Sequence, residues 1–203
     1  LRSNNRGITV SYLRNGKTES KSLSCHTPEA VFTKTNVGAE SEKPTWRFLT
    51  PEIGYIYMGT IRNKEIPKMM GELRLSKGIV VDLRCYPNDF VVFSLSSYFH
   101  VKNTAFVKFS NTNASNPGLF NFTKPLSVWG MKNAYNGKLV ILVNESTISN
   151  AEYTAMALSS TSIATVVGST TAGADGNVSK IILPGGISTY ISGIGVYYPN
   201  GKE

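Results

Sequence analysis

The chain has 203 residues, 41% hydrophobic and 17% charged, proportions that exclude an intrinsically disordered polymer and predict one globular domain with an appendage. Its net charge of +8 is scattered. The densest basic stretch (Arg2, Arg6, Arg14, Lys17 and Lys21) has no aromatic interleaving and no recognition helix, so a solvated surface is expected and no nucleic-acid partner.

No segment approaches the roughly 20 apolar residues that cross a bilayer. The chain begins at Leu1 and is read as part of a longer polypeptide, so where its parent works has to be inferred indirectly. Cys25 and Cys85 either pair in an oxidising compartment or stay as thiols, and His26 and His100 lack zinc-type spacing with them. Neither a metal centre nor another cofactor is expected.

In chain order, Ile8 to Leu13 alternates apolar and polar residues, Asn15-Gly16 is a strong hairpin signal, and Lys17 to Leu23 returns as a second strand. From Cys25 to about Pro51 the pattern dissolves, predicting a linker or loosely docked arm. Ile53 to Met58 is an apolar run suited to a strand covered on both faces. Helix follows, with Asn63 as a cap, Pro67 near the first turn and Ile66, Met69, Met70 and Leu73 on one face. Ile79-Val80-Val81 is the next strand, completing a βαβ unit with parallel strands. Asp89 to Phe99 reads as helix, Ala105 to Phe109 as strand, Asn111 to Lys124 as polar loop and Lys138 to Asn144 as another buried strand. A helix from about Asn150, a strand at Ile163 to Val167 and several strands between Val178 and Tyr198 complete an α/β architecture.

Ligands of parallel α/β sheets bind at the carboxyl ends of the strands, and the informative residues lie there. Asp82 and Arg84 follow one buried strand closely enough to form an ion pair that holds the next loop. After Leu139 to Val143 the run Asn144-Glu145-Ser146-Thr147-Ile148-Ser149-Asn150-Ala151-Glu152 leads from strand into helix. A serine at that junction either caps the helix or uses the unpaired amides of the first turn to stabilise an oxyanion. Glu152 fits a capping box with it.

The order of these segments resembles the tail-specific, or C-terminal processing, serine peptidases. The match runs through I-V-V-D-L-R, L-V-I-L-V-N, Ser149-Asn150-Ala151-Glu152, Ala164-Thr165-Val166-Val167-Gly168 and Thr171-Ala172-Gly173. The resemblance covers residues 52 to 203 and implies a layered ββα, crotonase-like core with a mixed sheet. It implies Ser149 as nucleophile, with the backbone amides of Asn150 and of Asn88 and Asp89 as oxyanion donors. A polypeptide substrate, including C-terminal tails, and a periplasmic or membrane-anchored cell-envelope location follow from it as expectations. Residues 1–24 resemble the last strands of a PDZ domain, and residues 25–51 form the connecting arm.

One departure is chemical. Many members carry a lysine base in a T-x-G-K-G turn, where this chain has Thr171-Ala172-Gly173-Ala174-Asp175-Gly176. A serine hydroxyl without an adjacent base is a weak nucleophile. The sequence is similar to a tricorn-like branch with a T-A-G turn, whose histidine precedes an inserted PDZ domain and whose glutamate lies near the C-terminal end. The base is accordingly expected upstream of Leu1, the glutamate beyond Glu203, and this chain alone to be an inactive piece of a serine endopeptidase. His100, His26 and Lys180 read as structural or solvated residues. The competing reading is a non-catalytic relative that binds extended peptides in the same cleft. An acyl-CoA enzyme of crotonase type ranks behind both, for want of a phosphate-cradling signature.

Overall fold

A computed structural model describes residues 7–24, 43–113, 115–116 and 118–203, in two units divided between residues 42 and 43. Cys25, His26 and most of the expected arm lie outside the described residues.

The first unit contains the expected hairpin. Strands β1 (Gly7–Arg14) and β2 (Lys17–Ser24) pair antiparallel with Arg14 opposite Lys17. Asn15 and Gly16 both have positive φ, 51° and 75°, the two-residue turn whose twist matches that of paired strands. Cross-strand hydroxyl pairs, Thr9–Ser22 and Ser11–Ser20, occupy one face.

The second unit is mixed α/β. Its main sheet has the order β10-β9-β5-β4-β3, where β3 is Trp46–Thr50, β4 Ile53–Tyr57, β5 Gly78–Asp82, β9 Lys138–Val143 and β10 Ala164–Gly168. The last four run parallel, and β3 pairs antiparallel with β4 at the edge. The first described strand of this unit therefore starts at Trp46, inside the expected arm. As an edge strand exposed beyond Trp46, β3 lacks the apolar signature that marks its buried neighbours.

Helix α1 (Ile66–Leu73) buries Ile66, Met69, Met70 and Leu73, the four residues its periodicity selects. Asn63 does not cap it: a 3₁₀ turn, Asn63–Glu65, intervenes. The α1 face lies so close to the sheet that a Cβ on Gly54 would meet Leu73 Cδ2 at 2.9 Å. The helix expected from Asp89 to Phe99 is shorter, α2 (Val92–Ser96) continued by a 3₁₀ turn at Ser97–Phe99.

A smaller antiparallel sheet joins β13 (Val196–Tyr197), β6 (Thr104–Thr112) and β7 (Phe120–Phe122), with β8 (Leu126–Val128) also on β6. β11 (Val178–Leu183) and β12 (Ile187–Ser192) form a separate hairpin.

Helix α3 (Asn150–Ser159) serves two cores. Ala151 and Leu158 pack with the main-sheet residues Ile56, Ile79, Val81, Leu139 and Ile141, whereas Met156 and Ala157 pack with Val92, Phe106, Val107, Val128 and Val196. The burial of α3 on both sides fixes the direction of its N-terminus, at the carboxyl end of β9. Among the described residues no helix is long and apolar enough to cross a membrane.

Candidate active site

Three loops that leave the carboxyl ends of β5, β9 and β10 are tied to one another by hydrogen bonds. Thr147 is the first tie. It is fully buried; its Oγ1 donates to the Leu83 carbonyl at 2.8 Å and accepts from the Asn144 amide at 3.0 Å. Its carbonyl accepts from the Ala172 amide at 3.0 Å, so one residue joins the loops after β5, β9 and β10.

Ser149 follows two residues later, directly before α3. Its backbone has φ 54° and ψ −117°, a left-handed region that costs a non-glycine residue about 1–3 kcal/mol and is retained where the surroundings impose it. The Ser149 amide donates to Glu152 Oε2 at 2.9 Å, and the two residues form the expected capping box. The amide of Asn150, the first helical residue, has no intrahelical acceptor because of its position and stands at the positive end of the helix dipole.

Glu152 does more than cap. Only 6% exposed, its carboxylate also accepts from the Thr171 hydroxyl at 2.7 Å and from the amides of Gly173 at 2.6 Å and Ala174 at 3.0 Å. The Thr-Ala-Gly-Ala turn is thereby clasped to the first turn of α3. Gly168 lets the chain enter this segment, since at φ 142° a Cβ would lie 1.8 Å from the Val143 carbonyl oxygen.

The loop after β5 reaches the serine turn from the other side. The Asn150 side-chain amide lies 3.5 Å from the Asp89 carbonyl, while Asn150 Oδ1 is buried and accepts no hydrogen bond. The Asn88 amide donates to the Met58 carbonyl at 3.1 Å. It is therefore engaged, which leaves the Asp89 amide as the candidate donor of this loop. The Asp89 carboxylate is structural, taking bonds from the Asn63 amide at 2.9 Å and from Asn88 Nδ2 at 3.0 Å. Asn63, expected as a helix cap, instead latches this loop through the Phe90 carbonyl at 2.9 Å.

Asp82 and Arg84 form the expected pair, in bidentate form: Nε to Oδ1 at 2.9 Å and Nη2 to Oδ2 at 2.7 Å, with the Arg84 amide also on Oδ1. Burial pushes the Asp82 carboxyl up, but the Arg84 fork and the Tyr55 hydroxyl outweigh it and hold the group below its ordinary value. Tyr55, whose hydroxyl donates to Oδ2 at 2.7 Å, is pushed up to about 12 by burial and by that bond.

Beside Glu152 opens a cavity of about 510 Å³ lined by Met156, Val166, Thr171, Asp175 and Val196 among others. Burial first, then the charges of Glu152 and Glu203, raises the Asp175 carboxyl above its ordinary value.

Two of the other candidate bases, His100 and Lys180, are among the described residues. His100 is 1% exposed, with Nδ1 donating to the Ser96 carbonyl at 2.7 Å and Nε2 bonded to Ser160 Oγ at 2.9 Å. Ser160 is eleven residues beyond Ser149 on α3, about 16 Å along the axis. His100 is thus a buried, satisfied histidine rather than a surface one. Lys180 is exposed on β11 opposite Tyr190, and Ala174 fills the lysine position of the turn. Among the described residues no cluster of three or more His, Cys, Asp or Glu is placed to hold a metal ion.

A strained serine between a parallel strand and a helix, clasped by a T-A-G turn, matches the order of motifs read from the sequence. The sequence profile of peptidase family S41 covers residues 52–203. The chain belongs to peptidase family S41. No curated protein sequence matches it, but solved structures do. A candidate peptidase from Parabacteroides merdae superposes with a TM-score of 0.66 at 18% identity, over 82% of this chain and 56% of that one. The photosystem II D1 C-terminal processing protease gives 0.55 at 16%, over 97% and 52%. Mature CPAF in complex with lactacystin gives 0.60 at 12%, over 96% and 60%. The S41 chain described here therefore spans between half and two thirds of the length of these neighbours, and at such identities the likeness concerns the fold. At the level of family, the resemblance read from the motifs is borne out.

Sequence reading missed the double duty of Glu152 and the tie made by Thr147. Both depend on where the T-A-G turn sits, and no local spacing encodes that.

Proposed function

We propose that this S41 chain carries the nucleophilic half of a serine endopeptidase site. Ser149 attacks the peptide carbonyl, and the amides of Asn150 and Asp89 receive the oxyanion. The observation that carries the reading is the left-handed backbone of Ser149: an ordinary N-cap serine has extended dihedrals, so the capping box that Ser149 makes with Glu152 does not by itself call for this strain, and presentation of the side chain does. Donors fixed before reaction cost no reorganisation when charge develops, and each is worth roughly 3–4 kcal/mol of barrier.

With Ala174 in place of a lysine, the proton acceptor in this proposal is a histidine outside residues 1–203, as in the T-A-G branch, and the 203-residue chain alone turns over no peptide. The same reading carries the tail-specific preference, the PDZ-like role of the β1–β2 hairpin, the crotonase-like layering and a cell-envelope location. A fluorophosphonate should label Ser149 in the longest natural polypeptide containing this chain and leave its Ser149→Ala variant unlabelled; equal labelling of the two overturns the assignment. Ala174 favours one alternative, a relative that binds peptides in this cleft without cleaving them, and an unlabelled wild type would support it.

A further inference from the structure

Two aromatic rings bridge the segments that the oxyanion assignment brings together. Phe90 directly follows Asp89, and its carbonyl is pinned by Asn63. Tyr153 stands one helical turn beyond Ser149, its amide bonded to the Ser149 carbonyl at 2.9 Å. Helical side chains lean toward the N-terminus and over the preceding turn, a tendency that directs Tyr153 toward the turn of Ser149 and Asn150. The rings of Phe90 and Tyr153 stack with centroids 6.3 Å apart and planes 25° apart.

Behind them lies a cluster of further aromatic rings. Tyr153 is held by Phe106 at 5.2 Å, Phe109 at 6.1 Å and Phe93 at 6.5 Å, and Phe93 also touches Phe90 at 6.2 Å. Phe90 nevertheless remains 57% exposed. A phenylalanine that is fixed at its backbone, stacked on one side and open on the other is a surface for another apolar group.

We infer that Phe90 and Tyr153 form the specificity wall of this site, receiving a large apolar or aromatic side chain from the substrate residue that supplies the scissile carbonyl. The inference rests on the serine assignment above. With the carbonyl oxygen between the Asp89 and Asn150 amides, the side chain of the same residue is only two bonds from the carbonyl carbon. It therefore lies within reach of the rings that flank those amides. Both rings are uncharged, and burial pushes the Tyr153 hydroxyl further up, to about 12, so the wall presents no charge that would favour a basic or acidic side chain.

Product-like peptides test this without requiring turnover. In the Ser149→Ala form of the chain, a hexapeptide ending in Phe should bind roughly 10- to 100-fold more tightly than the same peptide ending in Ala, the scale on which an apolar pocket discriminates, as read by fluorescence anisotropy. Phe90→Ala should reduce that ratio to within about threefold of unity, and Phe90→Leu should retain most of it, which separates a lost ring from a perturbed loop. Equal binding of the two peptides, or a ratio unchanged in Phe90→Ala, overturns the wall. Fluorophosphonate labelling reports on Ser149 separately: labelling with no Phe preference overturns the wall and leaves the serine standing, whereas Phe preference without labelling supports a peptide-binding wall and removes the nucleophile.

Discussion

Glu152 is the side chain on which the assembly of the site depends most. Its carboxylate gathers the Ser149, Gly173 and Ala174 amides and the Thr171 hydroxyl at 2.6 to 3.0 Å. Hydrogen bonds to a charged group contribute about 1.5–3 kcal/mol each, but the amides of the exposed Gly173 and Ala174 recover water when released, whereas those at half-buried Ser149 and Thr171 do so less completely. Glu152→Ala should accordingly cost about 3–4 kcal/mol. At about 2–4 °C per kcal/mol for a domain of this size, the thermal midpoint falls by roughly 10 °C. Glu152→Gln keeps one acceptor oxygen in place of two and should lose about half as much. Calorimetry measures the midpoint, and amide exchange at Gly173 and Ala174 shows whether the turn has been released: both amides should lose protection before the main sheet does. A Glu152→Ala protein within about 2 °C of wild type, with those amides still protected, would show that the turn is held by something other than this carboxylate.

The strain at Ser149 predicts an ordering of variants: Ser149→Gly should be more stable than Ser149→Ala by about 1 kcal/mol, because only glycine adopts φ 54° without penalty. Urea denaturation of the two compares them directly, and an Ala variant as stable as the Gly variant would mean that the backbone there is unstrained. Two carboxylates should respond oppositely to pH. Asp82 has a folded-state pKa below its unfolded value, so its contribution is present above about pH 4 and is lost as pH falls through the lowered value; Asp82→Asn should flatten the acid limb of stability between pH 2 and 5. Asp175 has a folded-state pKa above its unfolded value, so stability is lost as pH rises through it, and Asp175→Asn should raise the midpoint at pH 7 but not at pH 3. Matching effects at both pH values would remove electrostatics as the cause.

What was legible in the sequence depended on whether a residue's role is local. The buried faces of α1 and of strands β5 and β9, the Asn15-Gly16 turn and the Asp82–Arg84 pair are set by neighbours a few positions away, and periodicity or spacing identified them. Strand β3 escaped because it is a short, exposed edge strand, Trp46-Arg47-Phe48-Leu49-Thr50, without the continuous apolar run that marks its buried neighbours. Asn63 escaped for a different reason: its side chain is a competent helix cap, yet the oxygen that a cap would use accepts from the Ser94 hydroxyl 31 residues away, while its side-chain amide donates to the Phe90 carbonyl. Ser149 and Glu152 were both identified, but only a capping role could be assigned to Glu152 from a separation of three residues. Its bonds to Thr171, Gly173 and Ala174 cross two elements. Likewise nothing around Asn88 marks its amide as occupied, because its acceptor, Met58, belongs to the segment after β4.

The clasp also bears on the missing lysine. Glu152 holds the turn through backbone amides, including that of Ala174 itself, so the position of the turn does not depend on which side chain residue 174 carries. Ala174 is exposed, and exposed substitutions away from special backbone conformations usually change stability by within about 0.5 kcal/mol. Ala174→Lys should therefore fold like wild type. In the lysine-bearing S41 pattern that this turn resembles, the amine acts as the base for the serine, and in the 203-residue chain the substitution should raise fluorophosphonate labelling of Ser149 at least tenfold, a modest part of what general-base catalysis contributes. The gain should grow with pH as the ammonium loses its proton and should vanish in the double variant with Ser149→Ala. If Ala174→Lys is stable yet labels no faster than wild type, the turn does not aim residue 174 at Ser149, and the lysine-free sequence of this turn reflects a different geometry rather than a relocated base.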